Sequence, residues 1–265
     1  MQEYIESAIL GLIQGLTEFL PVSSSGHLEI AKYIFGENAI GEESLLMTVV
    51  LHFATALSTI VVFRKDVLYL LNGLFRKAGV EQRTFTWYVI ISMIPAAIVG
   101  VFFDDLIESM FSNNLLLVGS MLMVTAILLY IADVYTPKPQ GNNWYKALII
   151  GISQAIAIIP GISRSGATIS TALLLGLDRL EAARFSFLMV VPLIFGKMAK
   201  DVLSGELFSS GIDKVELTIG FIAAFITGYA ACTWMIAIVK NSKLRYFSIY
   251  CLIVGLIAIG YVFLS

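Results

Sequence analysis

Residues 151–168 read Gly-Ile-Ser-Gln-Ala-Ile-Ala-Ile-Ile-Pro-Gly-Ile-Ser-Arg-Ser-Gly-Ala-Thr, and this stretch decides the fold class. Two apolar pieces meet at a break, Pro160-Gly161, that is followed at once by a cation, Arg164. A helix needs about 20 mostly apolar residues to cross a bilayer's hydrocarbon core, whereas pieces of about 10–14 suit segments that enter and turn back. Backbone at such a break loses its helical hydrogen bonds, and is tolerated at membrane depth only where protein or a water-filled cavity satisfies it. The Ala147–Leu177 region is therefore expected to be a re-entrant hairpin that faces another part of the chain.

That other part is legible 140 residues earlier. Gly11, Gln14, Ser23, Ser25 and Gly26 recur as Gly151, Gln154, Ser163, Ser165 and Gly166, with Pro21 and Pro160 one residue out of step. Ser24 of the first copy stands where the second has Arg164. Ser7–Leu28 thus reads as a second re-entrant hairpin, and the shared helix-break-Ser-x-Ser-Gly layout reads as a duplication.

The rest of the chain is apolar enough to surround these hairpins with spans. Of 265 residues, 58% are hydrophobic and 14% charged, against about 45–50% and about 25% in soluble domains, and mean hydropathy is +0.88. This excludes a soluble globular enzyme, a disordered chain and a fibrous repeat. A net charge of −2 gives no nucleic-acid surface. Cys232 and Cys251 sit in apolar runs and form neither a disulfide framework nor a metal-binding spacing. An acidic start, without the basic region of a secretory signal, suggests that the mature chain begins near Met1.

Uncharged runs at Thr86–Phe103, Leu115–Ala132, Leu217–Val239 and Tyr246–Leu264 give four spans. Met47–Phe63 gives a fifth, interrupted only by His52, and Phe185–Gly196 a shorter sixth that Lys197 and Lys200 could extend by snorkelling. The expected fold is an all-α membrane protein: one integral domain, residues 1–265, of six transmembrane helices plus two re-entrant hairpins (7–28 and 147–177). Placing the Arg64–Arg83 loop, with five Lys/Arg residues, on the inside puts Asp133–Lys146, Asp178–Arg184 and Lys240–Arg245 inside as well and Glu29–Leu46, Asp104–Asn114 and Lys197–Glu216 outside, which concentrates basic residues on the inside. Both termini then face outward, the hairpins enter from opposite sides, and the halves (1–132 and 133–265) form an inverted repeat whose site lies where they meet.

Ionisable groups at membrane depth are costly and usually functional, which singles out Glu18, His27 and Arg164. Arg164 offers a permanent charge and a fork matched to phosphate oxygens. Ser163, Ser165, Gly166 and Thr168 add hydroxyls and backbone freedom, and Thr168 begins the next apolar stretch, so that a helix N-terminus starting there points back at the loop, together an anion cradle. The plainer alternative is a hinge whose Arg164 merely pairs with Glu18. In the first hairpin Gln14 and Glu18 share a helix face at i,i+4. Glu18 and His27 flank the Ser23-Ser24-Ser25 turn, a set suited to phosphoryl transfer with a carboxylate and an imidazole. Ser23–Ser25 could equally be a helix cap, and Gln14 an interhelical hydrogen bond. His52 reads as a packed or pore-facing structural residue, and Arg64, Lys65 and Asp66 as an interfacial cluster.

Gln14-Gly-Leu-Thr-Glu18-Phe-Leu-Pro-Val-Ser-Ser-Ser-Gly-His27 resembles the first signature of the bacterial undecaprenyl-diphosphate phosphatases of the bacitracin-resistance type, and residues 160–168 resemble their second. Phe63-Arg-Lys-Asp66, Ile94-Pro-Ala-Ala-Ile-Val-Gly100 and Phe185-Ser-Phe-Leu are also similar, so the resemblance runs over nearly the whole chain. It implies hydrolysis of undecaprenyl diphosphate to undecaprenyl phosphate and phosphate, recycling of the cell-wall lipid carrier, and bacitracin resistance. It implies a multi-pass protein of the bacterial cell membrane whose site opens to the outer face. By motif position, Glu18, Ser24, His27 and Arg164 match residues implicated in catalysis. Ser163, Ser165 and Thr168 match the phosphate-binding signature, and Gln14, Ser23, Ser25 and Gly166 join them as candidate substrate-binding residues. A divalent cation, Mg or Ca, is expected with Glu18 as its ligand; no organic cofactor is expected, and a homodimer is compatible. Gln14 stands where many members have Glu, so one carboxylate rather than two is available. The nucleophile stays open between Ser24, His27 and water. The competing reading is a lipid-carrier transporter using the same inverted-repeat site; a purely structural role explains neither Arg164 nor the repeat.

Overall fold

The computed structural model describes residues 2–35, 42–74, 79–111, 114–135, 137–204, 213–241 and 243–264. Among these residues the secondary structure is helical throughout. The first hairpin is α1 (Gln2–Phe19) and α2 (Ser24–Phe35), and the second is α8 (Trp144–Ile156) and α9 (Arg164–Leu174). Between them come α3 (Glu42–Val62), α4 (Arg64–Leu74), α5 (Val80–Phe102), the short α6 (Asp104–Met110) and α7 (Leu115–Val134). After them come α10 (Arg179–Ser204), α11 (Lys214–Asn241) and α12 (Arg245–Leu264).

Four helices are long and apolar enough to cross a membrane: Val80–Phe102, Leu115–Val134, Lys214–Ile236 and Arg245–Leu264. A fifth arises if the bent pair Leu46–Val62 and Arg64–Leu74, which meet at 77°, is one span. These match the first five runs read from the sequence. The sixth, Phe185–Gly196, lies inside the 26-residue α10, which has the length but not the uninterrupted apolarity of the others. The side chains of Lys197 and Lys200, expected to snorkel, lie outside the described residues, as do Arg76 and Lys77. The hairpin helices α2, α8 and α9 have 12, 13 and 11 residues. At 1.5 Å per residue each is shorter than the roughly 30 Å core.

Both hairpins are locked to spans from the opposite half by close backbone approach. A Cβ on Gly11 of α1 would lie 2.4 Å from Gly220 O of α11, and one on Gly15 would lie 2.7 Å from Ala224 O. In the second hairpin a Cβ on Gly151 of α8 would lie 2.4 Å from Ser92 O of α5. Without a hydrophobic force between helices in lipid, packing of small residues of this kind is what holds such pairs together. α7 and α12 pack on each other in the same way at Gly119 and Gly255. The apolar core beneath the hairpins includes Phe19, Leu122, Ile169, Phe185 and Phe187.

Candidate active site

The two breaks meet. A Cβ on Gly26 would lie 3.1 Å from the Gly161 Cα, and Ser165 Oγ donates to Leu20 O at 3.1 Å. The serines do the same local work in each copy. Gly26 N–H donates to Ser23 Oγ at 3.1 Å, and Gly166 N–H to Ser163 Oγ at 3.0 Å. Ser23–Ser25 and Ser163–Ser165 hydroxyl pairs are both at 3.3 Å. Ser163 is thus the N-cap of α9, which begins at Arg164, one turn earlier than the sequence reading had it. Thr168 lies within the helix, not at its start, where its hydroxyl donates to Arg164 O at 2.9 Å and pairs with Ser186 Oγ at 2.6 Å. Ser23 adopts φ +70°, a left-handed conformation that costs a non-glycine residue energy and recurs at functional sites. Gly161 has φ +95°, and a Cβ there would strike Val118 O.

Glu18 is the hub. Its Oε1 forms an ion pair with Arg164, so the structure realises the plainer alternative for these two charges. Its Oε2 accepts from Ser24 Oγ at 2.7 Å and from Gln14 Nε2 at 3.0 Å. Glu18 is only 7% exposed and Gln14 fully buried, so these are partners in a low-dielectric setting where charge-assisted bonds are strong. Arg164 also donates from Nη1 to Ser186 O at 3.2 Å. Gln14 bridges to α3 through Thr55 Oγ1 at 3.4 Å, the interhelical bond weighed for it, while its Oε1 is buried without a partner. Gln154, its counterpart, has both amide atoms unpartnered. The acceptor one turn on is Glu18 in the first copy but Ile158 in the second, which accounts for the difference.

His27 is held elsewhere. Its Nδ1 donates to Ser23 O at 2.7 Å, so in the neutral ring Nε2 is the acceptor from Tyr250 OH at 2.8 Å, and the two rings stack. The imidazole aimed at the carboxylate is that of His52. Its Nδ1 donates to Thr48 O at 2.8 Å, and its Nε2 lies 3.7 Å from Glu18 Oε2. His52 is therefore at the site, contrary to the structural role read for it. The overlooked signal is a stripe on α3: Thr48, His52, Thr55 and Thr59 recur at helical spacing along one face of an otherwise apolar run. Ser186 and Tyr250 were also missed, although Ser186 lies within the Phe185-Ser-Phe-Leu motif. A polar line extends from His52 through Thr48 to Lys32, whose Nζ donates to Thr48 Oγ1 at 3.1 Å and pairs with Glu29 at 3.2 Å.

The donor set does not fit a protein-built cation site. Among the described residues no group of three His, Cys, Asp or Glu side chains is placed to hold a metal ion, and both oxygens of Glu18 are engaged. Asp66 is not part of a merely local cluster: it reaches Arg184 of α10 at 2.5 Å, and that guanidinium lies over the Phe85 ring.

The family model described as bacitracin resistance protein BacA matches residues 7–257. The chain belongs to this family. BacA-family relatives include the undecaprenyl-diphosphatase of Christiangramia forsetii, 59% identical over 97% of both chains. That of Bacteroides fragilis is 49% identical over 97% of both. That of Methanococcus vannielii is 38% identical over 97% of this chain and all of its own. The matched residues include every site residue from Gln14 to Tyr250, so the whole site lies within the BacA match.

Proposed function

We propose that this BacA-family chain is a membrane phosphatase that hydrolyses undecaprenyl diphosphate to undecaprenyl phosphate and inorganic phosphate, and so recycles the cell-wall lipid carrier and confers bacitracin resistance. The observation that carries the reading is the Ser24–Glu18–Arg164 constellation at the junction of the hairpins. A hydroxyl donating to a buried carboxylate is the arrangement of a nucleophile with its base. A guanidinium beside it can stabilise charge on a transferring phosphoryl group.

In the mechanism we infer, the entering diphosphate competes for the Arg164 fork and draws it from Glu18. The freed carboxylate accepts the Ser24 proton as Ser24 Oγ attacks the terminal phosphorus, and undecaprenyl phosphate leaves. Water then attacks the phosphoserine and gives its proton to His52, the Ser24 Oγ–phosphorus bond breaks, Ser24 Oγ takes back the proton held by Glu18, and inorganic phosphate leaves. Proton uptake by Glu18 removes the repulsion between carboxylate and diphosphate as the bond forms. Ser163, Ser165 and the N-terminal N–H groups of α9 border the place where the phosphates would sit. His27, tied to Tyr250 and Ser23, shapes the Ser24 turn; His52 is the imidazole within reach of the base. A divalent cation enters this proposal only as a counter-ion carried on the diphosphate, and no step depends on it.

The six-span inverted repeat, with both termini outside, belongs to the same proposal. Its support is the grouping of contacts. Tyr4 OH donates to Asp213 at 3.0 Å, joining two segments assigned to the outside. Asp133 accepts from Leu244 N–H and pairs with Arg179, joining three assigned to the inside.

The test is purified protein in detergent, with undecaprenyl diphosphate and no second compartment. Phosphate release that Ser24→Ala abolishes supports the phosphatase. No release from folded protein removes it and returns the transporter reading.

A further inference from the structure

Glu18 stands in the last turn of α1 and Ser24 opens α2, so base and nucleophile ride on different helices. Only a short turn joins them, and rotation about φ of Ser23 sets the angle between the two. That φ is +70°, whereas Ser163, the counterpart in the second hairpin, has φ −72°. Both serines cap their helices through the same bond to a glycine N–H, so capping does not account for the difference. A left-handed serine is strained and persists only where its surroundings over-determine it. Four positions on, the first hairpin has His27 and the second Ala167. Ser163 O accepts the N–H of Ala167 at 2.7 Å. Ser23 O accepts the N–H of His27 at 3.2 Å and, in addition, its Nδ1–H at 2.7 Å. That extra bond needs the ring proton on Nδ1. Tyr250 OH, donating to Nε2 at 2.8 Å, puts it there, because only an unprotonated ring nitrogen accepts.

Resting on the phosphatase reading, we propose that Tyr250 is a positioning residue for the nucleophile: its hydroxyl fixes the His27 tautomer that pins the Ser23 carbonyl, and so holds Ser24 against Glu18. The neighbour of Tyr250 secures the other flank of the turn, since Cys251 Sγ donates to Pro21 O at 3.7 Å. Consecutive residues of α12 thus grip the chain on both sides of Ser23, and its strain has no free peptide to relax through. α12 is in turn clamped to α7. Ser248 Oγ donates to Ala126 O at 2.6 Å, and a Cβ on Gly255 would lie 2.8 Å from Gly119 O. The helix is a fixed post, and His27 is the tether that links it to the turn. In this assignment the His27 ring takes no proton from the reacting groups. The second hairpin, which lacks the imidazole, also lacks the left-handed serine, and there the residue after the cap is Arg164 rather than a nucleophile.

Tyr250→Phe keeps the ring stacked on His27 and removes only the donor. With undecaprenyl diphosphate in detergent, kcat should fall about tenfold, as for a slightly misplaced reacting group, while KM and the unfolding temperature stay at the parent's values. The decisive measurement is a cycle with Ser23→Gly. Glycine takes a positive φ without strain, so the tether becomes dispensable, and adding Tyr250→Phe to Ser23→Gly should cost less than about twofold. Ser23→Ala, which loses the same hydroxyl but keeps the strain, should stay as dependent on Tyr250 as the parent. A full loss on the glycine background, a raised KM or a displaced pH optimum in Tyr250→Phe overturns the proposal, making Tyr250 a substrate contact or His27 a base. A second readout is independent of turnover. The chain has two histidines, so isotopic nitrogen labelling of histidine resolves both rings by magnetic resonance, with His27 assigned by its loss in His27→Ala. His27 should be the Nδ1–H tautomer in the parent and a mixture of tautomers in Tyr250→Phe; an Nε2–H tautomer in the parent, or an unchanged ring in the variant, overturns the proposal. Absence of hydrolysis by the parent protein would instead remove the phosphatase reading, and the spectra would still decide whether Tyr250 sets the tether.

Discussion

At the scale of single residues, the site is a balance of two buried charges. Glu18 and Arg164 neutralise each other across the two hairpins, and removing one strands the other in a region that penalises an unpaired ion by about 3–5 kcal/mol. We expect Glu18→Gln and Arg164→Ala each to insert and to lose phosphate release by at least about 100-fold, a loss of the size seen on removing one transition-state donor. Arg164→Lys should recover little, because an ammonium lacks the fork that spans two oxygens. Thermal unfolding in detergent should show Arg164→Ala less stable than the double change Glu18→Gln with Arg164→Met. Wild-type-like turnover in Arg164→Ala would remove the assignment. The charged residues were legible because an ion at membrane depth announces itself. His52 was not, because a single imidazole in an apolar run looks the same whether it packs or works; only the placement of α3 against α1 aims it at Glu18. His27 shows the reverse. Its motif promised a partner for the carboxylate, but Tyr250, distant in sequence, takes the available nitrogen.

At the scale of elements, the hairpins depend on how closely their first helices approach a span. Gly15→Ala and Gly151→Ala should unfold at distinctly lower temperature in detergent, since each Cβ would sit below 3 Å from backbone atoms, an overpacking cost of about 1–3 kcal/mol or more. Gly100→Ala, with nothing within 4 Å of its Cβ, should match or slightly exceed the parent, because alanine suits a helix interior better than glycine. Equal unfolding temperatures for all three would contradict the packing described. Four spans, a fifth if the bent α3–α4 pair is one, and both breaks could be read from apolar runs and from Pro160, Gly161 and the serines. The start of α9 was misplaced because Ser163 caps it, and a cap signal preceding Arg164 is weaker to the eye than the apolar run after Thr168. The join of α3 to α4 was not legible as a bend: the apolar run ends at Phe63, and Arg64-Lys65-Asp66 read as an interfacial cluster, whereas a second helix starts at Arg64, turned by 77°, with Asp66 paired to Arg184 of α10.

At the scale of the whole molecule, the proposed topology makes two exposed aspartates mark opposite faces. In a background with Cys232 and Cys251 replaced, a thiol at Asp213 should react with an impermeant reagent on intact cells. One at Asp178 should react only after lysis. Reaction of both from outside would break the inverted repeat. The small residues at which the hairpins make close contact, Gly11, Gly26, Gly151 and Gly166, are among those whose recurrence suggested a repeat in the sequence. The pairing of α1 with α11, and of α8 with α5, was not legible, because spans of near-uniform apolarity do not reveal their neighbours.

The ion pair that joins the hairpins also limits how this protein can change over generations. The first hairpin has an acid, Glu18, where the second has Ile158, and the second has a base, Arg164, where the first has Ser24. Neither hairpin can drift alone, since each holds the counter-charge that makes the other tolerable in oil. A lineage abandoning the reaction would have to shed both at once, so the motif should persist or vanish as a unit.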